Sequence, residues 1–118
     1  MDHNSNKPAT VIYINSEVIG GGDRELGAIL MRNFLSTLGD FVRHVSHILL
    51  INSGVKIACQ GSAVLDSMTM LEENGIEVLS CKTCLNHFNL QDKVMAGRSS
   101  NMFEILTIIT RAQNVLTP

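Results

Sequence analysis

Thr10-Val11-Ile12-Tyr13-Ile14-Asn15 is a short β-branched run of the kind that fills a parallel strand covered on both faces. Ser46-His47-Ile48-Leu49-Leu50-Ile51-Asn52 repeats the pattern, and Ile76-Glu77-Val78-Leu79-Ser80 is a third copy. Val94-Met95-Ala96 and Val115-Leu116 are shorter candidates. Helical periodicity lies between these runs. After Gly20-Gly21-Gly22, the side chains of Leu26, Ile29, Leu30, Phe34 and Leu38 share one face, with Asp23 and Glu25 suited to the positive amino end and Gly39 as a stop. A second helix is expected to open at Ser62, bury Val64, Leu65, Met68 and Leu71, and end on a left-handed cap at Asn74-Gly75. A last helix begins near Asn101, with Glu104 as its capping-box partner and Met102, Ile105, Ile108, Ile109 and Ala112 as its apolar stripe.

Strand and helix in alternation define a three-layer α/β/α sandwich around an open, mainly parallel sheet of about five strands. Residues 1–9 read as a disordered polar tail and 10–118 as one domain. The 118 residues suffice for one core, and 45% hydrophobic against 17% charged content suits a compact soluble protein rather than a disordered one. A net charge of -2 and only four Phe, one Tyr and no Trp argue against a nucleic-acid surface. No apolar run reaches the length that crosses a bilayer, and the amino terminus has no signal-like segment, so the cytoplasm is the expected compartment.

In a reducing compartment the three cysteines read as reactive or metal-binding groups rather than a disulfide framework. Cys81-Lys82-Thr83-Cys84 follows the third strand at a strand-to-helix junction. Helix-end amides and Lys82 favour thiolate there, so these thiols are expected to ionise below their ordinary range. Ligands of such sheets bind beyond the carboxyl ends of the strands. The loops Ser16 to Gly22, Ser53 to Gly61, Cys81 to Cys84 and Gly97 to Ser100 meet on that edge. Cys81 and Cys84 are the candidate catalytic residues; Gly21, Gly22, Asn52, Ser53, Lys56 and Cys59 are the candidate substrate-binding ones. Three chemistries stay open: a thiol–disulfide couple, sulfur carried as a persulfide, and zinc held by Cys81, Cys84, His87 and Cys59. The glycine run lacks the spacing of a phosphate loop and reads as a turn for close strand–helix packing, or as lining of the sulfur pocket. Lys56 and Arg98 could each stabilise an anionic sulfur species or simply be solvated. His44 and His47 fall on the opposite edge.

The blocks Ile19-Gly20-Gly21-Gly22-Asp23-x-x-Leu26-Gly27, Leu30-Met31-x-x-Phe34-Leu35, Asn52-Ser53-Gly54-Val55-Lys56, Cys59-x-Gly61-Ser62, Leu79-Ser80-Cys81-x-Thr83-Cys84-Leu85 and Ser100-Asn101-Met102 stand in one order. Together they resemble the carboxyl-terminal domain of the YedF-like selenium metabolism proteins, within the wider DsrE family of sulfurtransferase-like proteins. The resemblance runs from about Thr10 to the end. It implies a DsrE-like α/β/α fold, a cytoplasmic homo-oligomer, and a persulfide-carrying cysteine after the third strand, here Cys81. It also implies sulfur-donor and sulfur-acceptor proteins of TusA-like type and a link to selenium metabolism. YedF-like proteins carry a TusA-like amino-terminal domain where this chain has only its polar tail, so sulfur is expected from a separate donor or from a domain that has been removed. No cofactor and no resident metal are implied. The rival function is a non-catalytic small-ligand-binding or regulatory module on the same fold.

Overall fold

The computed structural model describes residues 9–118. The expected tail therefore lies outside the described residues except for Ala9, whose carbonyl accepts from the Gln113 and Asn114 amides at 3.2 and 3.3 Å. The elements are β1 (Thr10–Ile14), α1 (Arg24–Leu38), β2 (Val45–Leu50), α2 (Leu65–Glu73), β3 (Glu77–Cys81), α3 (Lys82–His87), β4 (Arg98–Ser100), α4 (Met102–Arg111) and β5 (Asn114–Leu116). Two 3-10 segments, Gly39–His44 and Asn52–Ala58, flank β2. The strands form one sheet in the order β4-β3-β2-β1-β5, every pair parallel.

That order explains where the layers sit. The connections out of β1, β2 and β3 each step one strand over in the same direction, so a uniform crossover hand puts α1, α2 and α3 on one face. The last connection crosses back over the sheet, which puts α4 on the other. The core divides accordingly. Ile12, Ile48, Leu50 and Val78 face Met31 and Leu35 of α1, Met68 and Leu71 of α2, and Leu85 of α3. Val11, Leu49, Leu79 and Cys81 face Ile105 of α4. Ile48, Leu49 and Leu50 are all fully buried, as a central strand between two helical layers must be.

Several expectations shift. Helix α1 buries Gly27, Met31, Leu35 and Leu38, leaving Leu26, Ile29 and Leu30 at 51, 39 and 40% exposure. The helix is turned by about one residue, roughly 100°, from the face its apolar periodicity suggested. The reason is Gly27: a Cβ there would lie 2.8 Å from the Ile19 carbonyl oxygen, so this glycine must face inward. The close-packing glycine is thus Gly27, whereas Gly20, Gly21 and Gly22 have open space around them. Helix α2 starts three residues later than expected because the Ser62 hydroxyl accepts from the Val64 amide in a local turn. Gly75, at φ +102°, supplies the expected left-handed cap. The fourth strand is Arg98–Ser100 rather than Val94–Ala96, so Gly97 to Ser100 is not a carboxyl-edge loop. Val94 instead makes an isolated antiparallel bridge to Cys59. Asn101 caps α4 by accepting from the Glu104 amide at 2.8 Å, but the Glu104 carboxylate does not complete a capping box. It turns to Arg98 and Ser100.

Candidate functional site

Adjacent strands whose outgoing connections leave toward opposite faces open a crevice at their carboxyl ends. Here those strands are β3 and β4, and the residues that end them, Cys81 and Ser100, are paired in register. Cys81 is 3% exposed and points toward the α4 layer with Leu79. It also stands at the start of α3, making no side-chain cap hydrogen bond. Three residues on, Cys84 is half-buried and touches the apolar clusters of both faces.

The chain leaving β2 completes this corner. Asn52 follows Ile51 in a left-handed conformation, φ 50°, which asparagine tolerates better than most residues. That turn aims the Asn52 backbone N–H at Cys84 Sγ, 3.0 Å away. Asn52 is a candidate substrate-binding residue by sequence; the group it brings to the thiol is its backbone amide. The Asn-Ser-Gly triplet after a strand is the available signal for such a turn.

The expectation of an easily ionised thiol is not met at Cys84. Burial pushes its pKa up; the Asn52 amide pulls it down, and the neighbouring Cys81 thiol adds to the rise.

Cys59 does not join the pair. It lies in the cluster on the α1–α2 face, whereas Cys81 lies on the α4 face. Its thiol donates to the Val55 carbonyl at 3.3 Å, and burial pushes its pKa up. His87 is exposed and packs edge-on against Phe88, their ring centroids 5.1 Å apart. Among the described residues no three His, Cys, Asp or Glu side chains gather as a metal site, so the four-ligand zinc arrangement is not formed.

The remaining candidates separate. Gly21 and Gly22 sit on an exposed loop, where a Cβ added at either would meet nothing within 4 Å. The Ser53 hydroxyl accepts from the Glu17 amide at 3.2 Å and ties the β1 loop to the β2 loop. Lys56 is 4.5 Å above the centre of the Phe88 ring and 3.9 Å from the Glu17 carboxylate. Lys82 is exposed. Arg98 is held by Glu104 at 2.6 Å and Glu77 at 3.5 Å, so it serves the sheet and α4 rather than the thiols. His47, on the far edge as expected, contacts Glu77 at 3.1 Å and Ser46 Oγ at 2.8 Å.

The crystal structure of YchN from E. coli superposes with a TM-score of 0.70 at 12% identity, covering 95% of this chain and 99% of that one. MTH1491, a protein of unknown function from Methanobacterium thermoautotrophicum, gives 0.70 at 17% identity, with 95% and 100% covered. BT1422 from Bacteroides thetaiotaomicron, a conserved protein of unknown function, gives 0.68 at 12% identity over the whole of both chains. The chain has the DsrE-like fold, with the five-stranded all-parallel sheet and flanking helices described above. No protein-family model matches the sequence, and no curated protein does. Among the described residues no helix is long and apolar enough to cross a membrane.

Proposed function

We propose that this protein relays sulfur as a cysteine persulfide on the Cys81–Cys84 pair, in the manner of the YedF-like branch of the DsrE group. The observation that carries this reading is the half-buried Cys84 thiol, 3.0 Å from the Asn52 amide and backed by the Cys81 thiol. Burial favours Cys84 over Cys81 as the first acceptor, which reverses the order read from the sequence. The Cys84 thiolate attacks the outer sulfur of a donor persulfide; that S–S bond breaks, the donor leaves as a thiolate, and Cys84 carries the extra sulfur. An acceptor thiolate then removes the outer sulfur and regenerates the Cys84 thiolate. Alternatively, the Cys81 thiolate attacks the inner sulfur, expelling hydrosulfide and leaving a Cys81–Cys84 disulfide that a dithiol must reduce. The Asn52 amide holds the thiolate whenever it forms. Donor and acceptor are thiol-bearing proteins of TusA-like type, met in the cytoplasm by a self-associated form of this chain. Selenium follows the same displacement chemistry.

Intact mass after incubation with a persulfide donor and alkylation tests the reading. One added sulfur is expected on the wild type, none on Cys84→Ser, and an undiminished but unresolved load on Cys81→Ser. Uptake that persists in both serine variants and disappears in Cys59→Ser refutes it. Because burial raises the Cys84 pKa, its alkylation rate should still be climbing above the ordinary thiol range; a plateau at neutral pH contradicts the geometry. That same raised pKa favours the second reading, a ligand-binding module whose activity survives removal of all three cysteines.

A further inference from the structure

A second feature of the carboxyl edge lies apart from the Cys81–Cys84 pair, with the buried Cys59 in one of its walls. Two adjoining clefts of about 280 and 310 Å³ share Glu17, Lys56 and Ser62. The first lies between the β1 loop, α1 and the start of α2, and its charged lining is Arg24, Arg32 and Lys56 against a single carboxylate, Glu17. The second adds Phe88 and Leu90 as an apolar wall and no further charge at neutral pH. The whole chain carries a net charge of -2, so this concentration of cations runs against the composition.

The arrangement inside the first cleft shows what it lacks. One Glu17 oxygen serves both Arg24, at 2.7 Å, and Lys56, at 3.9 Å. Arg32 follows Arg24 by two turns of α1, about 12 Å along the axis, with Ala28 between them on the same ridge. One carboxylate cannot neutralise three cations spread over that length. Cations gathered in a concave, partly apolar site focus the field on an incoming anion.

We propose that the joined clefts bind a metabolite-sized ligand bearing two negative charges, carboxylate or phosphate, with its uncharged body against Phe88 and Leu90. The ligand's anionic groups take the place Glu17 now holds between Arg24 and Lys56 and engage Arg32. Phe88, whose amide bonds to the Cys84 carbonyl at 3.2 Å, puts the far end of the cleft one helical turn from the thiol pair. Binding itself requires neither cysteine, so this inference stands apart from the relay reading.

Isothermal titration of the full chain with glutarate and with adenosine monophosphate, at low and high salt, tests it; choline is the cationic control. At least one dianion should bind, with affinity falling as salt rises. Which one binds distinguishes a carboxylate from a phosphate ligand. Lys56→Glu and Arg32→Glu should each weaken binding about tenfold or more, about 1.4 kcal/mol. Glu17→Gln should tighten it, because the internal competitor is removed, and Cys84→Ser should leave it unchanged. These residues are exposed or rim positions, so melting curves will confirm that each variant is folded. No binding of either dianion, binding equal to that of choline, or indifference to both charge reversals overturns the proposal.

Discussion

One face of the sheet is sealed by α1, α2, α3 and a 3-10 segment, which bury Met31, Leu35, Val55, Met68, Leu71 and Leu85 in one continuous cluster. The other is sealed by α4 alone, and Ile105 is the only residue of that helix fully buried. Ile108, Ile109 and Ala112 pack against the same cluster only partly buried, and a polar clasp adds to them: Glu104 takes both Arg98 nitrogens, at 2.6 and 3.1 Å, and accepts from the Ser100 hydroxyl. On its outer side Phe103 is 82% exposed. Elements held by few apolar contacts open locally before the whole fold does. Cys81 belongs to that lightly sealed face and Cys59 to the heavily sealed one, so the same burial has different consequences. Opening α4 should uncover Cys81 beside Cys84, whereas Cys59 lies outside the α4 layer.

The sharpest test of this difference is paired truncation. Leu35→Ala, on the heavily sealed face, should cost about 2–5 kcal/mol in a denaturant titration and unfold the protein as one unit. Ile105→Ala should cost less in the global transition, roughly 2 kcal/mol, yet speed amide exchange in α4 and alkylation of Cys81 ahead of Cys59. If Cys59 reacts first in Ile105→Ala, the two faces are not independent and the comparison fails.

A smaller effect of opposite sign is expected beneath the site. Ser80 precedes Cys81 and is fully buried, and its hydroxyl has no hydrogen-bond partner among the described residues. Ser80→Ala removes an unpaired polar group and should raise stability by about 1 kcal/mol, read from the denaturation midpoint. A loss of stability would mean that the hydroxyl is paired in solution.

The smallest effect near neutrality concerns the clasp. The Arg98 guanidinium, then the Ser100 hydroxyl, hold the Glu104 pKa down, from 4.5 to about 2. Between these values the unfolded chain binds the extra proton, so the contribution is complete above about 4.5 and fades as pH falls toward about 2. Glu104→Gln should flatten that acid limb in melting curves recorded across this range. An unchanged acid limb would show that α4 does not depend on the clasp.

How much of this is legible in the sequence differs by element. The three long strands can be read from their apolar runs because a central strand buries both faces and so cannot alternate. The α1 face is misleading because Leu26, Ile29 and Leu30 imitate a core stripe, while the residue that orients the helix, Gly27, carries no hydrophobic signal. The fourth strand falls elsewhere than expected because Val94-Met95-Ala96 is the more apolar stretch, although the ladder passes through Arg98-Ser99-Ser100. The thiol pair is legible from spacing and its position after β3. The Asn52 amide, the isolation of Cys59 and the shared role of Glu17 are not, since each depends on which loops meet.

The amino-acid order by itself determined the layer architecture and the placing of two thiols at a strand end, because periodicity and spacing are properties of the chain. Tertiary structure alone decided which thiol is open, that its neighbour faces the weaker layer, and that Arg24, Arg32 and Lys56 line one cleft. Those outcomes follow from strand order and helix rotation, which bring together residues far apart in sequence and set the desolvation each one feels.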